Sequence, residues 1–122
     1  MDAPLVAVTM GDPAGVGPEI IARTFADPGF ADENKALVVG DPAMLRRAVR
    51  LLGLPLGVSE IHEPEEAAFE PGVVDVLAVG ELPEDLPFGE LDGRAGDAAF
   101  RYLEKAIGLA SGGRVAAIAT AP

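Results

Sequence analysis

The sequence predicts an α/β protein built on a wound, largely parallel sheet with flanking helices. Three observations carry that reading. Short apolar runs recur at residues 5–8, 36–39, 56–61, 73–79 and 115–119, and some are unbroken by polar residues, as strands buried on both faces are. Segments of helical period lie between several of these runs, and strands that alternate with helices pair in parallel. The composition agrees, because 49% hydrophobic with only 5% aromatic residues and no Trp makes an interior of Val, Leu, Ile and Ala.

The first run leads into Thr9-Met10-Gly11-Asp12-Pro13-Ala14-Gly15-Val16-Gly17-Pro18-Glu19, and then Ile20-Ile21-Ala22. This reads as a strand, a glycine-rich turn and a helix start. Gly11, Gly15 and Gly17 allow positive φ and a close approach of backbone to a ligand. Pro18 suits the first helical turn, and Glu19 there complements the helix dipole. Such a turn directs backbone N–H groups at one spot and is a candidate ligand site. It is not a P-loop, which requires a Lys where Val16 or Pro18 stands. Nor is it the dinucleotide fingerprint, whose third glycine place falls on Ile20. A plain connecting turn is the alternative, but Asp12, Pro13 and Pro18 specify more than a connector needs.

The helix from Pro18 to about Ala26 is ended by Asp27-Pro28-Gly29. The second strand ends in Gly40-Asp41-Pro42, where Asp41 caps and Pro42 opens the next helix. There Leu45, Ala48, Val49 and Leu52 recur at helical spacing, Arg46, Arg47 and Arg50 read as a solvated face, and Gly53 stops the helix. Between the third and fourth strands, His62-Glu63-Pro64-Glu65-Glu66 is an acidic loop. Residues 80–94, with two Pro, three Gly and five acidic residues, read as an extended surface segment. A helix from Ala95 to Ala110 follows, with Ala99, Tyr102, Leu103, Ala106 and Ala110 on one face. Ser111-Gly112-Gly113 ends it before the last strand. There is no internal repeat, linker or low-complexity tract.

A net charge of −11 argues against nucleic acid and against an anionic membrane surface as partners. An anionic substrate must then be received by local dipoles, a metal or basic groups, and no Lys or Arg lies in the first loop. Zero Cys excludes disulfides and thiolate chemistry, and fits a cytoplasmic protein. No stretch approaches the roughly 20 apolar residues of a transmembrane helix. Met1-Asp2-Ala3-Pro4 carries no basic region and does not read as a signal peptide.

Few side chains invite a catalytic role. His62, the only His, sits beside Glu60 and Glu63 and reads as a solvated side chain. No His/Cys/Asp cluster has metal-ligand spacing, and Thr9, Ser59, Ser111 and Thr120 have no base at motif spacing. Asp41 has two readings, a ribose-gripping acid as in nucleotide-binding folds or a helix N-cap. The missing fingerprint favours the cap. Asp12 either caps the first loop or faces a cleft. Tyr102 and Phe100 read as packing or interface residues.

The residues Thr9 to Glu19 closely resemble the opening loop of the 4-hydroxythreonine-4-phosphate dehydrogenases, the PdxA family of vitamin B6 biosynthesis. Phe88-Gly89-Glu90-Leu91-Asp92-Gly93-Arg94-Ala95-Gly96 with Tyr102-Leu103-Glu104-Lys105-Ala106 is similar to the family's next stretch, and Ala117-Ile118-Ala119-Thr120-Ala121-Pro122 to its T-x-P motif. The three occur in family order, so the resemblance spans the chain, with a generic middle third. It implies part of the isocitrate/isopropylmalate dehydrogenase-like fold, with residues 1–122 the N-terminal α/β segment of a larger two-domain enzyme. A last strand delivered to the ligand edge as an unsupported central strand points the same way.

The resemblance also implies oxidation and decarboxylation of 4-(phosphooxy)-threonine with NAD or NADP, giving 3-amino-2-oxopropyl phosphate. A divalent metal (zinc, magnesium or cobalt) and the substrate-binding His-Thr pair would be supplied by residues beyond Pro122. No catalytic residue or metal ligand is therefore expected within this segment. Its expected share is a cleft wall, with Gly11, Asp12, Gly15, Gly17, Glu19, Thr120 and Pro122 as candidates. A homodimer is expected, as is a phosphorylated small-molecule substrate. The rivals are a same-family dehydrogenase of threonate or erythronate 4-phosphate, a plain Rossmann domain, and a non-catalytic scaffold fragment.

Overall fold

The computed structural model describes residues 4–122, so Met1-Asp2-Ala3 of the leading stretch lie outside the described residues. Five strands, β1 (Leu5–Thr9), β2 (Lys35–Gly40), β3 (Gly57–Ile61), β4 (Val73–Ala78) and β5 (Ala117–Thr120), form one sheet in the order β3-β4-β2-β1-β5. Every pairing is parallel. The helices are α1 (Gly17–Phe25), α2 (Pro28–Glu33), α3 (Pro42–Leu52) and α4 (Gly93–Ser111). The sheet steps one way through α1 and α3 and the other way through α4. Right-handed crossovers therefore put α1 and α3 on one face and α4 on the opposite one. The packing agrees, since α1 lies against α3 while α4 crosses β2, β1 and β5.

The core follows from the apolar runs. Leu37, Val38 and Val39 of β2 and Val74, Val76 and Leu77 of β4 are buried, in one cluster with Met10, Ile21 and Leu45. Asp41 caps α3 and Gly53, at φ +63°, ends it in the left-handed conformation, as expected. All five expected strands are present, with β5 beginning two residues later than its apolar run.

Four expectations are corrected. Asp27-Pro28-Gly29 does more than end α1: Asp27 Oδ1 accepts from the Gly29 N–H at 2.9 Å, and Pro28 opens the short helix α2. This is the same Asp-Pro start that was legible at Asp41-Pro42. The buried face of α4 keeps Tyr102 and Ala106 of the expected set but takes Ala95, Ala98 and Leu109 in place of Ala99 and Leu103, the latter 39% exposed. Alanines let the helix sit close to the sheet, and the larger Phe100, Leu103 and Ile107 point away. Arg47 is buried rather than solvated. Finally, β5 is an edge strand of the described sheet and not a central one.

Candidate functional site

In a wound parallel sheet, ligands bind outside the carboxyl ends of the strands, where successive connections diverge. Here the carboxyl ends of β1 and β5 lie side by side on that edge. The glycine-rich turn follows β1, and Thr120-Ala121-Pro122 follows β5. The two are joined. The strand ladder pairs Thr9 with Thr120, the Ala121 N–H donates to Thr9 O at 3.0 Å, and the Asp12 N–H donates to Pro122 O at 3.2 Å.

Glycine makes the junction geometrically accessible. At Gly11, φ is +70° and a Cβ would lie 2.6 Å from the Pro122 carbonyl carbon. A Cβ on Gly17 would run into the carbonyl oxygen of Met10, and one on Gly40 would come within 2.7 Å of Met10 Cβ. Met10 is fully buried, and its N–H extends the ladder to Val39 O at 3.0 Å. Gly11 and Gly17 are thus required by close backbone packing, a reason that differs from approach to a ligand.

The loop also uses its own polar groups. Asp12 Oδ1 accepts from the Ala14 N–H at 2.9 Å, and the Asp12 carbonyl accepts from Gly15 N at 3.0 Å. Asp12 therefore caps the turn, while the Asp12, Ala14 and Gly15 amides are committed within the junction. The start of α1, at Val16, has no side-chain cap. Of the candidate residues, Gly15 and Glu19 line a pocket of about 260 Å³, closed on its other side by Phe88 and Gly89. Thr120 is exposed at the end of β5.

Asp41, at the end of β2, is 4% exposed. Its Oδ1 accepts from Ala43 N at 2.8 Å and Met44 N at 3.3 Å, and its Oδ2 accepts from Leu82 N at 3.0 Å. Both carboxylate oxygens are held by backbone, so the cap reading stands and ribose binding does not fit. His62 is exposed, with Nε2 3.3 Å from Glu60 Oε2, as a solvated side chain would be. It lies with Asp41, Arg46, Glu60 and Glu81 around an open cleft of about 720 Å³ beyond β2, β3 and β4. Among the described residues no group of three or more His, Cys, Asp or Glu is arranged to hold a metal ion. These residues thus do not fit a resident metal. No helix among them is long and apolar enough to cross a membrane.

One feature of the site was announced only at its end, where Phe88 to Asp92 fall in the stretch that resembles the family. Residues 79–92 run from β4 to α4 as a strap over this edge. The strap is tied to Asp41 through Leu82 and to the glycine loop through the Gly89 N–H, which donates to Ala14 O at 2.7 Å. Between these ties Arg47 Nη1 donates to Glu84 O at 3.2 Å and Leu86 O at 2.6 Å, and its Cζ sits 3.6 Å from the Phe88 ring centroid. Burial, then repulsion from Arg50, hold its pKa below the ordinary arginine value, against the pull of Asp41. Leu86 is 1% exposed, which is worth about 1.5–3 kcal/mol of burial. The signal in the sequence was slight: two apolar residues, Leu86 and Phe88, between Pro83 and Gly89 in an otherwise acidic tract.

Comparison with known proteins bears on the same region. Over 119 residues the chain is 45% identical to a D-threonate 4-phosphate dehydrogenase of Cupriavidus necator. Over 121 residues it is 41% identical to a 4-hydroxythreonine-4-phosphate dehydrogenase of Trichlorobacter lovleyi. Each match takes in 98% of this chain and 36% of the relative, so the chain spans about a third of their length. A crystal structure of a 4-hydroxythreonine-4-phosphate dehydrogenase from Burkholderia phymatum superposes with a TM-score of 0.95 at 38% identity, over 98% of this chain and 36% of that one. The family model described as pyridoxal phosphate biosynthetic protein PdxA matches residues 32–122. With the fold, the order of the motifs and these matches in agreement, the chain belongs to the PdxA family.

Proposed function

We propose that this chain is the N-terminal α/β part of a two-domain dehydrogenase that oxidises a four-carbon hydroxy acid phosphorylated at its 4-position. The junction of the glycine loop with Thr120-Ala121-Pro122, at the paired carboxyl ends of β1 and β5, is the observation that carries the reading. It supplies a rigid wall at the edge where such sheets bind ligands. In this reading Gly15, Glu19 and Thr120 face the cleft, while Gly11, Asp12, Gly17 and Pro122 keep the wall in shape.

The reaction is oxidation of the 3-hydroxyl of 4-(phosphooxy)-threonine by NAD or NADP, followed by loss of carbon dioxide to give 3-amino-2-oxopropyl phosphate. A divalent metal (zinc, magnesium or cobalt), when bound by residues outside this segment, would polarise the alcohol oxygen. The segment's own share is positioning. The backbone-to-backbone ties at Asp12 and Ala121 leave the wall little freedom, and a fixed wall is what orienting a substrate requires. The lack of Cys fits a cytoplasmic enzyme, and a homodimer is the expected assembly.

A second substrate has a specific observation in its favour. The relative at 45% identity is named for D-threonate 4-phosphate, the relative at 41% for 4-hydroxythreonine 4-phosphate. The full-length protein, assayed for NADH or NADPH formation with metal present, should separate them by kcat/KM on the two substrates. Turnover of 4-(phosphooxy)-threonine alone selects the biosynthetic reading, and preference for D-threonate 4-phosphate selects the second. Reduction of neither coenzyme with either substrate overturns both.

A further inference from the structure

Arg47 is the one described arginine that is buried, at 9% exposure, and it forms no ion pair among the described residues. The strap above it offers Glu81, Glu84, Asp85 and Glu90, yet Arg47 bonds to main-chain oxygens of Glu84 and Leu86. Its Nε and Nη2 atoms are buried with no acceptor among the described residues. An arginine placed to neutralise acid would take carboxylates, and one placed to grip a chain's course takes carbonyls. Its guanidinium also stacks on Phe88, the residue before Gly89, whose N–H bonds the glycine loop at Ala14.

We propose that Arg47 is a latch that fixes the course of the 79–92 strap over the sheet edge, and that the strap passes this constraint to the glycine loop through Gly89 and Ala14. The chain of contacts is continuous: Arg47 to Leu86 and Phe88, Phe88 to Gly89, Gly89 to Ala14, and Ala14 to Asp12, which ties to Pro122. In this arrangement the strap opens as a unit of its own, separately from the sheet. Because the latch holds carbonyls, it does not depend on the Glu84 side chain.

Amide hydrogen exchange followed by NMR tests this in the wild-type protein and in Arg47→Met, Glu84→Ala and Phe88→Ala. Arg47→Met should speed exchange at Leu82, Gly89, Ala14 and Asp12 at least ten-fold while β2 and β4 amides keep their rates. Glu84→Ala should change none of these. Phe88→Ala, at a side chain 42% exposed, removes the stacking partner without opening the core and should give a smaller rise at the same amides. The proposal is overturned by a rise spread evenly over strand amides, by a rise at Leu82 that does not reach Ala14, or by an equal effect of Glu84→Ala. Should Arg47→Met fail to fold, unchanged exchange at Gly89 and Ala14 in Phe88→Ala overturns it alone.

Discussion

Gly11 carries no side chain where Pro122 passes, and the main chain of Pro122 occupies the space that a Cβ on Gly11 would need. The neighbouring Asp12 N–H then reaches the Pro122 carbonyl oxygen. The loop after the first strand and the residues after the last are in this way one packed unit.

Gly11→Ala combines a left-handed backbone with a main-chain collision, and Gly17→Ala sets a methyl against the Met10 carbonyl oxygen. The first conformational penalty is about 1–2 kcal/mol and overpacking adds about 1–3 kcal/mol. Gly11→Ala should lose about 2–5 kcal/mol in urea unfolding, and Gly17→Ala, which has only the overpacking term, about 1–3 kcal/mol. Gly80→Ala is the control: φ is +69° but the space around it is open, so a loss of only about 1–2 kcal/mol is expected.

Asp41→Ala removes a helix cap and leaves the Leu82 N–H without its acceptor. The cap is worth about 1 kcal/mol and an orphaned buried donor costs about 1–3 kcal/mol. Asp41→Asn keeps an oxygen for Ala43 but turns an amide toward Leu82, so it should fall between the wild type and Asp41→Ala. Thermal denaturation checks the order. Asn equal to Ala would show that the cap carries nothing.

Tyr102 is fully buried on α4, and its hydroxyl has no partner among the described residues. Tyr102→Phe should therefore be neutral or stabilising, by up to about 1 kcal/mol, since an unsatisfied polar group is removed. Burial, and secondarily Asp41, push the phenol pKa above its ordinary value of 10. The neutral form is the one the fold favours, so its stabilisation is present below pH 10 and is lost as pH rises above it. The phenylalanine variant should resist alkaline unfolding better than the wild type, as circular dichroism across that range would show.

Asp92 caps α4 through the Arg94 N–H and is also paired with the Arg94 guanidinium at 2.7 Å. The Arg94 side-chain bond, foremost, lowers its pKa from 3.8 to about 2. A carboxylate with a depressed folded pKa contributes stability above its unfolded value, lost as pH falls toward the folded one. Asp92→Asn retains the cap but not the charge. Its deficit relative to wild type, read from urea midpoints, should be present at pH 7, shrink as pH falls below 4, and vanish only below pH 2. The deficit stays small because the pair is exposed.

The parallel sheet was legible because its strands are runs of Leu, Val, Ile and Ala that identify themselves one at a time. Asp41-Pro42 and Gly53 bounded α3 for the same local reason. What escaped was set by chain crossing over chain. Helical spacing put Arg47 on a polar face, and only the strap, a segment with no period of its own, covers it. On α4 helical spacing placed Tyr102 and Ala106 correctly but took in Ala99 and Leu103, where nearness to the sheet selected Ala95 and Ala98 instead. The glycine loop was recognised as special, but its contact with Pro122 joins residues at opposite ends of the sequence, which no local pattern encodes.

β1 lies between β2 and β5, so the first strand of the sheet has its second neighbour in the last. Pairing them closes a loop of nearly the whole chain, an entropic cost that must be met before the contact returns anything. The β1–β2 pair, by contrast, closes over one short crossover that holds only α1 and α2. Assembly is thereby ordered in time: β1 and β2 can pair as soon as β2 has emerged, whereas the glycine loop acquires its native shape only when β5 docks. The wall of the proposed cleft is the last part of this chain to be made, so a partly folded chain lacks it.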